Sequence, residues 1–254
     1  MIKVIHGDTL KVLPTLDADS VDAVITDPPY SSGGLHSTSR KQSAGQKYMK
    51  VQGNYLDFSG DNRDQRSFLL WFNLWLTEAL RVTKPGGIIA VFTDWRQLPS
   101  VTDALQVGGV VWRGIIPWHK PNGRRQQGRY ANTCEYVVWG TNGARPQGGS
   151  SLGGFWQQST PAKAKRFHMT EKPVELMEFL LGLVPEGGTV LDPFAGSGST
   201  LVAAQNLGLN AIGVEALAHN VQIMKDRLAA NEQTLWAKTA ETMKEGEGNE
   251  DHRV

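Results

Sequence analysis

Residues 189–199 read Thr-Val-Leu-Asp-Pro-Phe-Ala-Gly-Ser-Gly-Ser and are the most informative part of the chain. Their apolar beginning predicts a β-strand, and helical spacing of apolar residues follows from Ser199 to Leu207. Gly196 and Gly198 stand between the two, where a backbone without Cβ atoms can turn sharply and approach a ligand closely. The stretch therefore predicts a strand, a glycine turn and a helix in direct succession.

The next predicted strand, residues 211–214, runs into Glu215. A carboxylate at this place in a strand–helix–strand unit commonly accepts hydrogen bonds from ribose hydroxyls. The glycine turn and Glu215 together thus predict a nucleoside-binding site. The third glycine of the dinucleotide fingerprint is missing, which argues against a nicotinamide cofactor.

Strands and helices alternate along the rest of the chain. We predict further strands at 3–6, 21–26, 88–92, 110–118 and 136–139, the last two as a hairpin, and further helices at 68–82, 173–183 and 217–230. This alternation predicts an α/β fold with a doubly wound, mainly parallel, Rossmann-like sheet that binds ligands at the carboxyl ends of its strands.

The length of 254 residues fits a single domain over residues 1–232. Two insertions are expected within it: a mobile loop at 31–66, which is polar and long, and a basic region at about 119–168. Residues 233–254 are rich in acids at their end and are expected to form a disordered tail.

Composition narrows the class of protein. Apolar residues make up 40% and charged residues 20%, which excludes a fibrous or wholly disordered chain. No run approaches the roughly 20 apolar residues that cross a bilayer, and Met1 leads directly into a predicted strand, so we expect a cytoplasmic protein. Cys134 is the single cysteine, which excludes an intramolecular disulfide and a cysteine-cluster metal site; no metal is expected.

Basic residues are concentrated in one region despite a net charge of +1. Between residues 104 and 170 there are nine Lys and Arg residues and one acid, Glu135. This asymmetry favours a surface for a polyanion, and a solvated basic loop is the alternative.

Asp27-Pro28-Pro29-Tyr30 follows the predicted strand at 21–26. Prolines have no N–H and hold the preceding residue extended, so the turn offers acceptors with few competing donors. The Asp27 carboxylate and the Pro28 carbonyl can accept both hydrogens of an aromatic amino group, and Tyr30 can stack on its ring. A purely structural proline turn is the alternative.

The two motifs, in this order, resemble those of the amino-group (N6-adenine/N4-cytosine) DNA methyltransferase family in its β-class arrangement. The resemblance implies a Rossmann-like methyltransferase fold, S-adenosylmethionine as cofactor, DNA as partner and flipping of the target base out of the duplex. Asp rather than Ser at the start of the acceptor motif favours adenine N6, with cytosine N4 as the alternative. The resemblance also suggests two further candidate partners, a second copy in a homodimer and a restriction endonuclease of the same system.

The family pattern also assigns residues. The catalytic residues would be Asp27, Pro28, Pro29 and Tyr30. Asp8 would meet the cofactor adenine, Glu215 its ribose, and the glycine turn its methionine portion. The full set for the cofactor is Asp8, Thr170, Lys172, Asp192, Pro193, Phe194, Ala195, Gly196, Ser197, Gly198, Ser199 and Glu215. Asp8 fits equally well as a helix N-cap, and Lys172 as part of a helix cap before Pro173.

The basic region supplies candidates for phosphate contacts, which are Arg124, Arg125, Arg129, Lys163, Lys165 and Arg166. Trp118, Tyr130 and Trp156 are candidates for stacking, with core packing expected for at least two of them.

Three other functions remain open. Methylation of cytosine C5 needs a thiolate, and Cys134 is not near a proline turn. Methylation of glutamine amides in proteins uses a similar acceptor turn, but usually after Asn, and the basic region argues for nucleic acid. A catalytically inactive DNA-binding module would be expected to have a broken site, whereas both motifs are intact.

Overall fold

The computed structural model describes residues 1–31, 63–123, 125, 127–159 and 172–247, with side chains as far as Ala237. The strands are β1 (Ile2–His6), β2 (Val21–Thr26), β3 (Thr83–Thr93), β4 (Val111–His119), β5 (Cys134–Thr141), β6 (Trp156–Gln157), β7 (Thr189–Asp192) and β8 (Asn210–Glu215). The helices are α1 (Thr9–Val12), α2 (Gln65–Val82), α3 (Leu98–Val107), α4 (Val174–Leu181), α5 (Ser199–Asn206) and α6 (Ala218–Glu247), and a 3₁₀ turn covers Leu13–Thr15.

Within the described residues, all eight strands form one sheet in the order β1-β8-β7-β2-β3-β5-β4-β6. The first five in this order are parallel, whereas β5 runs antiparallel to both β3 and β4. The predicted doubly wound α/β sheet and the predicted hairpin of β4 and β5 are therefore confirmed. Because β5 runs in the opposite direction, its first residues lie at the same edge as the carboxyl ends of the parallel strands.

The sheet is buried on both faces. Along β3, Ile88, Ala90 and Phe92 belong to one core, and Ile89 and Val91 belong to the other, as the period of two in a strand requires. The first core contains buried side chains of α4, α5 and α6. The second is covered by α2 and α3, and the buried positions of α2 recur at helical spacing: Phe68, Phe72, Trp75, Leu76, Ala79 and Val82.

Several element boundaries differ from the prediction. Helix α2 begins at Gln65, inside the segment predicted as a loop, because the Asp64 carboxylate caps the N–H groups of Arg66 and Ser67. Helix α3 was not predicted, although it has proline at its start and Gly108 at its end. The short edge strand β6 lies in the predicted basic insertion and was not predicted.

The largest difference is at the end of the chain. Helix α6 continues to Glu247 rather than ending at Ala230, so it includes much of the segment predicted as a disordered tail. Residues 231–245 contain neither glycine nor proline and several strong helix formers, so nothing local ends the helix there. The predicted mobile loop between residues 32 and 62 lies outside the described residues. None of the described helices is long and apolar enough to cross a bilayer.

Candidate active site

The acceptor turn follows β2 at the carboxyl edge of the sheet, and its central group is the Asp27 carboxylate. The Tyr30 hydroxyl donates a hydrogen bond to Oδ1, and the Lys172 ammonium donates one to Oδ2. The Asp27 side chain is 21% exposed, so one side of it remains accessible. Each carboxylate oxygen has two lone pairs, so Asp27 can still accept a hydrogen from a ligand.

Lys172, which was predicted to bind the cofactor, contacts the acceptor turn through Asp27. It precedes α4, is only 6% exposed, and pairs with a second carboxylate: its Nζ is 3.4 Å from Oε2 of Glu135. Its Nζ also lies 5.6 Å from the ring centre of Tyr30 and 5.2 Å from that of Phe92. The aromatic surfaces exclude water and still favour a cation.

Glu135 extends this arrangement by one more charge. It is the second residue of β5, and its Oε1 accepts from Lys120 Nζ at 2.6 Å. Lys120 follows β4, whose last residues pair with the first of β5. Asp27, Lys172, Glu135 and Lys120 thus form a row of alternating charges, which we call the charge row, at the carboxyl edge of the sheet.

The charge row affects the pKa values of Asp27, Lys172 and Glu135. Burial raises the pKa of Asp27, Lys172 opposes this rise, and Glu135 adds to it. Burial alone would lower the pKa of Lys172, but the neighbouring Asp27 and Glu135 raise it, so Lys172 stays charged. Burial would raise the pKa of Glu135, but Lys172 and Lys120 lower it below the ordinary value. Burial and the Asp27 charge raise the pKa of Tyr30, which keeps its hydroxyl a donor.

The glycine turn joins β7 to α5. Gly196 and Gly198 have φ angles of +53° and +87°, in the left-handed region that glycine adopts at little cost. The N–H of Gly196 donates to Oε2 of Glu215 at 3.0 Å, and the N–H of Leu217 donates to Oε1 at 2.8 Å. Glu215 therefore shapes the turn from the end of the neighbouring strand β8.

The turn has features that fit a bound nucleoside cofactor. A Cβ built on Gly196 would meet no atom within 4 Å, so open space lies next to this backbone. The Ser199 hydroxyl is buried and has no hydrogen-bond partner among the described residues. An open cradle and an unsatisfied polar group at one turn are expected where a ligand completes the site.

Asp192 connects the two turns. Its side chain is buried and accepts hydrogen bonds from the hydroxyls of Thr26, at 2.7 Å, and Thr200, at 2.6 Å, and from the N–H of Phe194 at 3.1 Å. Burial raises its pKa to about 6. These three bonds give Asp192 a positioning role between the two turns, and its predicted cofactor contact stays a prediction.

Two further predicted cofactor residues have clear local roles. The Asp8 carboxylate caps α1 by accepting from the N–H of Leu10 at 2.9 Å, as the alternative interpretation predicted. It is exposed at the carboxyl end of β1, whose last residue pairs with Glu215. The Phe194 ring packs against two rings of α2, with centroids 5.4 Å from Trp71 and 5.3 Å from Trp75.

The remaining cofactor candidates belong to the turn itself. Pro193 accepts a hydrogen bond from the buried hydroxyl of Thr9, which ties α1 to the turn. Ala195 donates its N–H to the Val214 carbonyl at 2.9 Å. Ser197 accepts from Arg227 of α6 through its carbonyl and its hydroxyl, at 2.8 and 3.0 Å. The turn is therefore held from three sides.

The predicted DNA-contacting residues are partly described. Arg125 and Arg129 are exposed, as is Tyr130. Arg124, Lys163, Lys165, Arg166 and the cofactor candidate Thr170 lie outside the described residues. Trp118 is buried and Trp156 packs on Phe179 at 4.9 Å between centroids, which confirms core packing for two of the three aromatic candidates.

The sequence analysis missed Glu135 and Lys120 as site residues. A signal was present, because Glu135 is the single acid among nine basic residues between positions 104 and 170. A lone acid in a basic region is readily paired by one of its neighbours, and here it pairs with two lysines.

The fold and the two turns define an α/β enzyme of the Rossmann-like methyltransferase class. The family model described as DNA methylase, of the N6/N4 type, matches residues 21–226. The chain therefore belongs to the N6/N4 family of DNA methyltransferases.

Individual relatives agree with this assignment. The chain is 29% identical over 251 residues to the type II methyltransferase M2.DpnII of Streptococcus pneumoniae, covering 91% of this chain and 90% of that protein. The structure of M1.HpyAVI in complex with SAM superposes with a TM-score of 0.64 at 26% identity, covering 90% of this chain and 99% of the other. The PvuII cytosine-N4-specific DNA methyltransferase shares the fold, with a TM-score of 0.68 at 16% identity over 88% of this chain and 85% of the other.

Proposed function

We propose that this DNA methyltransferase transfers a methyl group from S-adenosylmethionine to the N6 amino group of adenine. One observation carries the proposal: the Asp27 carboxylate is held, with one side accessible, at the carboxyl end of β2, and Thr26 joins that strand to the glycine turn after β7. The carboxyl edge at the switch point of a doubly wound sheet is where such folds bind ligands.

S-adenosylmethionine supplies an electrophilic methyl group on a positively charged sulfur. The glycine turn would receive the methionine portion in the open space beside Gly196, with the Ser199 hydroxyl as a donor. Glu215 would accept from the ribose through Oε2, which has a lone pair beyond the one used by Gly196, whereas Oε1 already accepts from Leu217 and Asn220. Asp8 is exposed on the neighbouring strand end, where the adenine of the cofactor is expected.

Asp27 and the Pro28 carbonyl would accept the two hydrogens of the target amine. This holds the amine in one orientation and concentrates its lone pair on the nitrogen, which is the atom that attacks. In a duplex the amine is hidden in the base stack, so the base must be turned out first, at a cost of a few kcal/mol. Exposed cations such as Arg125 and Arg129 would offset this cost by contacts to phosphates.

Cytosine N4 is the second candidate because the matching family model covers both types of amine. The two bases present a similar amino group, so the acceptor turn serves either. Asp27 at the start of the acceptor motif favours adenine.

The direct test is to incubate the protein with labelled S-adenosylmethionine and unmethylated DNA and then digest the DNA to nucleosides. We expect label in N6-methyl-2′-deoxyadenosine. Label in N4-methyl-2′-deoxycytidine would mean that cytosine and not adenine is the substrate, with the same mechanism of amine methylation. Label in 5-methylcytosine, or only in protein, would overturn the proposal.

A further inference from the structure

We propose that Lys172 and Glu135 are positioning residues of this reaction: Lys172 keeps the Asp27 carboxylate ionised and oriented toward the target amine, and Glu135 holds Lys172 in place. The inference rests on the proposed function, because it assigns these residues to the same amine-binding site.

The Lys172 ammonium lies between two carboxylates. Its ammonium donates to Oδ2 of Asp27 and lies 3.4 Å from Oε2 of Glu135, and only 6% of the side chain is exposed. A buried ammonium with two carboxylates around it loses little by staying charged, so the cation is fixed in position as well as in charge.

The positions of its two hydrogen-bond donors fix the orientation of the Asp27 carboxylate. Tyr30 occupies a lone pair of Oδ1 and Lys172 occupies one of Oδ2, so the carboxylate cannot rotate without breaking both bonds. The remaining lone pairs then point in fixed directions, which is what an acceptor needs if it is to fix the plane of an amino group.

Ionisation of Asp27 depends on charges from every element around it. Lys172 is the cation in direct contact, and Lys120 contributes through Glu135. The acids are Glu135 from β5, Asp192 from the end of β7, and Asp94 after β3, which faces Tyr30. Burial adds to the effect of these acids, and two direct contacts oppose neutralisation of Asp27: the Lys172 cation, which has the larger effect, and the hydrogen bond from Tyr30. Protonation of Asp27 would turn one of its acceptor oxygens into a donor and remove its negative charge, which weakens its hold on the target amine.

Glu135 acts through Lys172. Its charge keeps Lys172 at the junction of the two carboxylates, and it is itself held by Lys120 at 2.6 Å. The same charge raises the pKa of Asp27, so Glu135 and Lys172 have opposite effects on that pKa. Replacing each one alone therefore gives results of opposite sign, which a merely structural role would not produce.

The experiment is the pH dependence of single-turnover methyl transfer to DNA by the wild type, Lys172→Met and Glu135→Gln. Activity should fall on the acid side as Asp27 is protonated. In Lys172→Met this acid limb should move to higher pH, by about one to three units, because a direct counter-ion is lost. In Glu135→Gln it should move to lower pH by a smaller amount, because a like charge is lost.

Lys84→Met is the matched control. Lys84 also forms an ion pair with an aspartate, with 2.8 Å between its Nζ and Oδ1 of Asp22, but this pair does not lie at the carboxyl edge of the sheet. Its acid limb should coincide with that of the wild type. Acid limbs that stay in place in both site variants, or that move in the same direction, would overturn the inference. Glu135→Gln keeps the size of the side chain, so the test stands even where Lys172→Met fails to fold.

A second readout separates this inference from the proposed function. Carboxyl ¹³C NMR of labelled aspartate follows the titration of Asp27 without any reaction, and a spectrum of Asp27→Asn assigns its signal. Should the wild type transfer no methyl group to DNA, the proposed function fails, whereas the NMR titrations still decide whether Lys172 and Glu135 control Asp27.

Discussion

Thr26 and Asp192 join the two halves of the site, because the Thr26 hydroxyl donates to Oδ1 of Asp192 at 2.7 Å. Thr26 is the last residue of β2, which leads into the acceptor turn, and Asp192 is the last residue of β7, which leads into the glycine turn. The strands are neighbours at the point where the order of the sheet reverses. One buried hydrogen bond thus sets the spacing of the groups that would hold the amine and the cofactor.

The buried Asp192 should make stability depend on pH. Its pKa is about 6 in the folded protein and near the ordinary 3.8 in the unfolded chain. The folded state therefore keeps a proton that the unfolded state has lost, and this stabilisation, full below about pH 4, is lost as the pH rises to 6. A difference of about two pKa units corresponds to about 3 kcal/mol.

Urea unfolding of the wild type and Asp192→Asn at several pH values measures this effect. The free energy of unfolding of the wild type, relative to the variant, should fall by about 3 kcal/mol between pH 4 and pH 7. A constant difference over that range would show that Asp192 does not titrate there. Asp192→Ala should destabilise at every pH, because it leaves the hydroxyls of Thr26 and Thr200 without their acceptor.

The open space beside Gly196 predicts the effect of a single added methyl group. Gly196→Ala meets no protein atom within 4 Å, so the variant should fold with a loss of about 1 to 2 kcal/mol from its left-handed backbone. The new Cβ occupies the cradle, however, so the affinity for S-adenosylmethionine in calorimetry should fall at least tenfold, which is about 1.4 kcal/mol.

Gly208→Ala controls for the backbone effect. Gly208 has a φ of +67° after α5 and also has open space around it, but it lies outside the turn. It should lose similar stability and keep full cofactor affinity. Equal affinities for the two variants would mean that the cofactor does not approach Gly196.

The exposed arginines of the basic region should contribute to DNA binding and not to cofactor binding. Arg125→Ala and Arg129→Ala should each weaken DNA binding and lower the slope of log affinity against log salt by about one. Lys3→Ala, which removes an exposed cation from β1 at the far edge of the sheet, should change neither quantity. Unchanged salt slopes in both arginine variants would mean that DNA binds at another surface of the protein.

Replacing Cys134 distinguishes methylation of an amine from methylation of cytosine C5. It is partly buried at the start of β5, one residue before Glu135. Because the proposed reaction needs no thiolate, Cys134→Ser should transfer methyl groups at close to the wild-type rate. Complete loss of activity in a folded variant, as judged by its circular dichroism, would contradict the amine mechanism.

The sequence predicted those features of the site that are local in the chain. Asp-Pro-Pro-Tyr and the glycine turn are each continuous and follow predicted strands, so their places at the carboxyl edge followed from the fold class. The charge row could not be predicted in this way, because Asp27, Lys172 and Glu135 come from separate segments. Lys172 was assigned to the cofactor from the family pattern, and its contacts with Asp27 and Glu135 were not predicted because they depend on where the segment before α4 meets β2 and β5.

The contacts of Asp192 were also difficult to predict, because one of its partners comes from a separate segment of the chain. Its position in the glycine motif suggested a cofactor contact, which stays a prediction, and its hydrogen bond with Thr26 was not predicted because only the sheet order brings β2 beside β7. The length of α6 is a different case: its charged residues suggested disorder, although the helix-forming composition of residues 231–245 was already visible.

The most direct test of the site is single-turnover methyl transfer to DNA by Asp27→Ala, measured together with its affinity for S-adenosylmethionine. Asp27 is proposed to hold the target amine and to make no contact with the cofactor, so transfer should be abolished while cofactor affinity stays within a few-fold of the wild type. Transfer at the wild-type rate, or loss of cofactor binding in the folded variant, would contradict the role of Asp27 as the acceptor of the amine.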